Sequence, residues 1–144
     1  MKSELLSSYP IEVAKRAVRV PPRARRLLLI AIDALLLPMA VWLSFWLRLA
    51  QPLHPSFLAA GLWLFPAVLL FGLPLYAFTG QYKGLTRYVG SLALYRLAAR
   101  NALLVLLLVG TGVIIGLPMP PRSSWMLLWL LITGFTGVVR FVLR

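Results

Sequence analysis

Few side chains in this 144-residue chain could do acid–base or ligand chemistry, and they lie far apart. Glu4, Glu12 and Asp33 are its only side-chain carboxylates, His54 is its only imidazole, and it has no cysteine. That inventory leaves little for metal binding or for a paired general acid and base, and it excludes disulfides and thiolate metal sites. Asp33 stands apart because it sits within an apolar run, Leu27–Leu47. A carboxylate near the centre of a bilayer costs about 2.5–3.5 kcal/mol on insertion scales, and less near the interface. Such a group has two uses. It can couple proton or cation movement, as in a small transporter, or it can pair with a basic residue and fix helix packing. The second reading is preferred, because arginines are plentiful and one carboxylate is more easily paired than free. Arg140 enters the same predicted layer from the last apolar stretch, Arg100 lies close to that depth, and Arg26 precedes Asp33 on its own stretch. These three are the candidate partners.

The elements that must position these residues are four apolar stretches, at about 27–47, 57–79, 102–117 and 125–143. A helix rises about 1.5 Å per residue and the hydrocarbon core of a bilayer is about 30 Å thick, so runs of roughly 17–25 apolar residues are of membrane-spanning length. Leu103–Ile115 is apolar or small all round, where a soluble helix would alternate an apolar and a polar stripe. The chain is 61% hydrophobic, with a mean hydropathy of +0.89. Composition and length together predict an all-α integral membrane protein, a four-transmembrane-helix bundle. Residues 1–22 form a basic lead and 23–144 the membrane domain.

Net charge is +12. The basic residues flank the apolar stretches and form no single soluble patch, so anionic lipid headgroups are the expected counter-charge and nucleic acid is not. Lys2, Lys15, Arg16, Arg19, Arg23, Arg25 and Arg26 precede the first stretch. Lys83, Arg87, Arg96 and Arg100 fall in the middle connection, and Arg140 and Arg144 close the chain. Of the 15 basic residues only Arg48 and Arg122 fall on the other side. The positive-inside rule then puts both termini and the middle connection in the cytoplasm, with 51–54 and 118–122 outside. The lead is too long, and the first apolar run too extended, for a cleavable signal peptide. Residues 11–20 are expected either as a short basic surface helix or as an unstructured basic lead.

Prolines and glycines punctuate the stretches. Pro38, Pro66 and Pro74 are expected to kink their helices, and Gly112 with Gly116 makes a small-xxx-small pair suited to close helix approach. Trp42, Trp46, Trp63, Trp125 and Trp129 lie towards the predicted outer ends. Between the second and third stretches, Tyr82, Lys83, Arg87 and Tyr88 interleave aromatic and basic character, as a short interfacial segment would. That segment is expected to break near Gly90. Ser91 then opens a helix that carries Arg96 and Arg100 into the third span, where both can snorkel to headgroups.

Several short motifs in order resemble a known family. R-R-L-L-L-I-A-I-D-A-L-L-L at 25–37, W-L-R-L at 46–49, G-Q-Y-K-G-L-T-R-Y at 80–88, P-R-S-S at 121–124 and V-V-R-F-V-L-R at 138–144 are similar to the membrane domain of membrane-bound nucleotide-sugar 4,6-dehydratases/epimerases of capsule and O-antigen polysaccharide biosynthesis. Thr86 stands where that family usually has an aromatic. The resemblance covers about 23–144. It implies a bacterial inner-membrane anchor for an enzyme that modifies UDP-sugars, working beside other polysaccharide-assembly membrane proteins and compatible with a homo-oligomer. Family members continue into an NAD(P)-binding Rossmann domain. This chain carries no G-x-G-x-x-G after a strand and no Tyr-x-x-x-Lys pair, so no catalytic or cofactor residue carries over. The expectation is an anchor without catalysis or cofactor, whether truncated or separately encoded. A similar four-helix anchor precedes some polyprenyl-phosphate sugar-phosphate transferases. The rival of another class is a small transporter or flippase that uses Asp33.

Overall fold

The computed structural model describes residues 21–51, 55–82 and 91–142. Among these it contains only helices: α1 Pro22–Leu49, α2 Pro55–Ala60, α3 Leu64–Phe78, α4 Ser91–Ile115 and α5 Arg122–Val142. α1, α4 and α5 are each long and apolar enough to cross a membrane, whereas α3 is shorter. Helix α1 packs on α3 and α5, and α4 packs on the same two. The order around the bundle is therefore α1, α3, α4, α5, with chain neighbours adjacent in space. Side chains from the first half of α1, the end of α3, the first half of α4 and the end of α5 meet at one end. Neighbouring helices are thus antiparallel.

Each of the four longer helices buries roughly one residue in four or five. On α3 the buried residues are Leu64, Val68, Gly72 and Tyr76, and on α5 they are Ser124, Leu128, Ile132 and Thr136. On α1 the stripe begins Leu29, Asp33, Leu37. Residues four apart form the ridge that fits the groove of a neighbouring helix. Leu35, Leu70, Leu106 and Leu130 point outward and are exposed, so the exterior of the bundle is as apolar as its interior. A soluble protein does not present such a surface, whereas a protein surrounded by lipid does.

Helix ends follow local chemistry. Pro22 takes the first position of α1, where its missing N–H is not needed. Gly80 (φ +70°) and Gly116 (φ +73°) end α3 and α4 in the left-handed conformation. The Gln81 N–H returns to the Tyr76 carbonyl at 3.0 Å and the Leu117 N–H to the Gly112 carbonyl at 2.9 Å, the six-to-one bonds of a Schellman turn. Gly116 is therefore a helix terminator and not half of a helix-packing pair. Gly112 does mark a close approach, but to the side chains of Trp63 and Met119. Gly72 is the glycine where three helices crowd: a Cβ there would lie 2.7 Å from Leu37 Cδ1 and 3.4 Å from Leu104 Cδ2.

The second apolar stretch differs from the single span expected at 57–79. It is divided into α2, a turn at 61–63, and α3. The physical reason is Pro66. A proline removes an interior helical N–H and crowds the preceding turn, but in the first turn of a helix it does neither. The chain accordingly restarts its helix at Leu64 and leaves Pro66 in that first turn, not at a mid-span kink. Helices α1 and α3 continue through Pro38 and Pro74. Helix α4, which holds the third apolar stretch, begins at Ser91, eleven residues before that stretch, and carries Arg96 and Arg100 as expected of it. The lead at 1–20 and the interfacial tract at 83–90, with Lys83, Arg87 and Tyr88, lie outside the described residues.

Candidate functional site

The end of the bundle that gathers Arg100 and Arg140 also holds its polar interior. Asp33, one turn beyond Leu29 on the buried stripe of α1, is 2% exposed. Arg140 occupies the next position after Thr136 on the α5 stripe, and its Nη2 lies 3.6 Å from Asp33 Oδ2. Of the three arginines expected as partners, Arg140 is thus the one that reaches the carboxylate. Arg26 stays exposed at the start of α1. Arg100 turns elsewhere: its Nη2 donates to the Thr79 carbonyl at 2.8 Å.

The turn after α3 completes the cluster. The left-handed Gly80 reverses the chain, so that Gln81 and Tyr82 fold back into the bundle instead of leaving along the membrane surface. Tyr82, expected at the interface, is buried, and its hydroxyl donates to Asp33 Oδ2 at 3.0 Å. Burial first, and then the Asp33 charge, push this phenol well above the ordinary tyrosine range, so it holds its proton and acts as donor. The Gln81 carbonyl accepts from Arg140 Nη1 at 3.0 Å. The short turn from Thr79 to Tyr82 is therefore held by α4 through Arg100, by α5 through Arg140 and by α1 through Asp33.

A second polar layer lies deeper and was not foreseen from the sequence. The Tyr76 hydroxyl donates to Asn101 Oδ1 at 2.6 Å, and Asn101 Nδ2 lies 3.2 Å from Thr133 Oγ1 and 3.3 Å from Thr136 Oγ1. Tyr76 and Asn101 are fully buried. This layer ties α3, α4 and α5 together just as the first ties α1, α5 and the α3 turn. The available signal was the presence of Asn101 at the edge of an otherwise apolar run. In hydrocarbon such an amide seeks a partner on another helix. Arg96 remains exposed near the start of α4, away from both layers.

The opposite end is built differently. Trp63 Nε1 donates to the Pro118 carbonyl at 2.9 Å, and its ring packs over Gly112. Trp42 and Trp46 pack against each other with ring centroids 5.0 Å apart and ring planes tilted by 40°. There the aromatic bodies fill space and the Trp63 indole caps an exposed carbonyl, as rings do at a membrane boundary.

Chemically, the basic end offers one carboxylate already engaged by a phenol and a guanidinium, and a hydrogen-bonded amide–hydroxyl layer behind it. Neither layer presents an activated nucleophile. Both are suited to holding four helices in one register. Neither a protein-family model, nor a curated protein, nor a solved structure matches the chain.

Proposed function

We propose that the chain is a four-span domain of the bacterial inner membrane, and that it anchors a UDP-sugar-modifying enzyme of polysaccharide biosynthesis without catalysing a reaction itself. The observation that carries the reading is the convergence of its motifs. The tract ending in Asp33, the tract opening Gly80-Gln81-Tyr82 and the tract containing Arg140 are far apart in sequence. They are also the segments through which the chain resembles the anchor of membrane-bound nucleotide-sugar dehydratases/epimerases. In space they meet in one buried cluster, and what that cluster does is pack helices. A motif set whose members hold one another is what an anchor needs. A transporter would need Asp33 open to a pathway, and here it is buried with two partners.

The fourth crossing is supported by reach. Trp63, just before α3, bonds to the α4–α5 connection, and Thr79, just after it, bonds to Arg100 near the other end of α4. The run from Trp63 to Thr79 thus extends along the bundle from one end to the other. Orientation rests on charge: the end bearing Arg26, Arg100 and Arg140 faces the cytoplasm.

Three measurements test the reading. Single cysteines at Gln51 and Pro120 react with a membrane-impermeant thiol reagent from the periplasm, while cysteines at Ser8 and Gly84 do not; the reverse pattern overturns the topology. In cells lacking the chain, membrane-bound UDP-sugar dehydratase or epimerase activity moves to the soluble fraction. Proton-coupled flux in proteoliposomes, abolished by Asp33→Asn with the fold intact, would replace the anchor with the transporter.

A further inference from the structure

We infer that the basic end binds a phosphate group between Arg140 and Gln81. Arg140 commits Nη1 to the Gln81 carbonyl and holds Nη2 3.6 Å from Asp33, beyond hydrogen-bonding range. Its Nε and Nη2 have no hydrogen-bond partner, and neither does either polar atom of the Gln81 side chain, although all four atoms are buried. Gln81 as a whole is 4% exposed. Buried polar atoms in folded proteins are almost always paired, and four unpaired ones on two residues joined by a hydrogen bond call for a partner.

The chemistry of the missing group follows from the donors. Arg140 Nε, Arg140 Nη2 and the Gln81 amide nitrogen all donate, and only Gln81 Oε1 accepts. Water accepts, but it brings two O–H donors of its own, and among these atoms only Gln81 Oε1 could take them. A phosphate offers several acceptor oxygens, and a guanidinium edge with two free N–H groups receives it bidentately. Charge agrees. Asp33 is the only carboxylate side chain among the described residues, and it already accepts from Tyr82. One carboxylate against the two guanidinium groups of Arg140 and Arg100 leaves positive charge in excess at this end. Entry requires the Gln81 side chain, with its three rotatable bonds, to turn outward beside the 19% of Arg140 that is exposed.

An anionic phospholipid headgroup and free phosphate share this chemistry. The lipid source rests on the four-span reading, because only there does the site sit at the headgroup level; the free-phosphate source does not. The test uses the full chain, delipidated in neutral detergent, with thermal unfolding and native mass spectrometry as readouts. Phosphatidylglycerol, phosphatidylcholine and inorganic phosphate are added separately, to wild type, Gln81→Met and Gln81→Glu. Phosphatidylglycerol is expected to bind wild type at least about tenfold more tightly than phosphatidylcholine and to raise its unfolding temperature. Gln81→Met should lose that preference. Gln81→Glu supplies the anion from the chain itself, so it should unfold at a higher temperature than wild type without additive and respond to none. The same pattern with inorganic phosphate in place of the lipid supports the site with a free ligand. Equal responses of wild type and both variants to every additive overturn it, as does a wild type indifferent to all three.

Discussion

The two ends of the bundle use opposite means to hold the same helices. At the basic end, Asp33, Tyr82, Arg140, Tyr76 and Asn101 join the helices by hydrogen bonds and one ion pair. At the opposite end Trp63 and Met119 fill the space over Gly112, and Ala40, Val41, Leu64, Val68, Leu108 and Leu128 are closely packed in the apolar core. Lipid is as apolar as leucine, so apolar contacts between helices gain only from shape, and many registers are nearly equivalent. Polar contacts are not interchangeable. Asp33 satisfied in one register is stranded in a register shifted by one turn. The comparison teaches that the basic end selects the arrangement, while the other end adds packing to an arrangement already chosen.

The largest expected effect breaks the basic end. Asp33→Asn leaves the Arg140 charge without its counter-ion, at a cost of up to about 3–5 kcal/mol for a fully buried pair and less here because Arg140 is partly exposed. Reversible unfolding in micelles measures the loss. Asp33→Asn combined with Arg140→Gln recovers part of it, and a double-mutant cycle without coupling removes the ion pair from the account.

The matching change at the other end is Gly112→Ala. Its Cβ would lie 2.6 Å from Met119 Sδ and 3.1 Å from the Trp63 ring. The methionine can yield but the ring cannot move far, so the expected cost is about 1–3 kcal/mol. Gly110→Ala is the control, since nothing lies within 4 Å of its Cβ, and it should be neutral or stabilising. A Gly112→Ala cost above that of Asp33→Asn would invert the comparison.

Tyr76→Phe probes the deeper layer alone. It removes the 2.6 Å bond to Asn101 and leaves Oδ1 without that donor, at about 0.6–1.5 kcal/mol. A loss that appears in micelles and also lowers the coupling between Asp33 and Arg140 would show that the two layers act together. The smallest effect is a gain. Ala50 ends α1 at φ 55°, a left-handed position that costs an L side chain about 1–2 kcal/mol. Ala50→Gly should recover up to about 1 kcal/mol of this, seen as a higher unfolding midpoint with unchanged secondary structure.

Much of the basic end is legible in the sequence. A lone carboxylate in an apolar run demands a partner, and alternating topology brings Arg140, Arg100 and Arg26 near its depth, so pairing with an arginine follows from cost and geometry. Tyr82 was harder. Interleaved with lysine and arginine, it reads as an interfacial residue, and only the reversal at Gly80 turns it inward. Asn101 carried a signal in its polarity, but its partners Tyr76, Thr133 and Thr136 are ordinary residues of membrane helices until their faces are known.

The sequence by itself determined that the chain is helical and apolar, where its main stretches lie, and which charges must be reconciled inside them, because length, hydropathy and the cost of a buried carboxylate are properties of residues and their spacing. It could not show which face of each helix turns inward. When a stretch is apolar all round, hydrophobic periodicity carries no direction. The tertiary structure alone decided the every-fourth-residue stripes, the close approach at Gly72, the break before α3 and the choice of Arg140 over Arg100 and Arg26. Each of those depends on where a neighbouring helix stands, and that is settled by ridges meeting grooves and polar atoms finding partners across them.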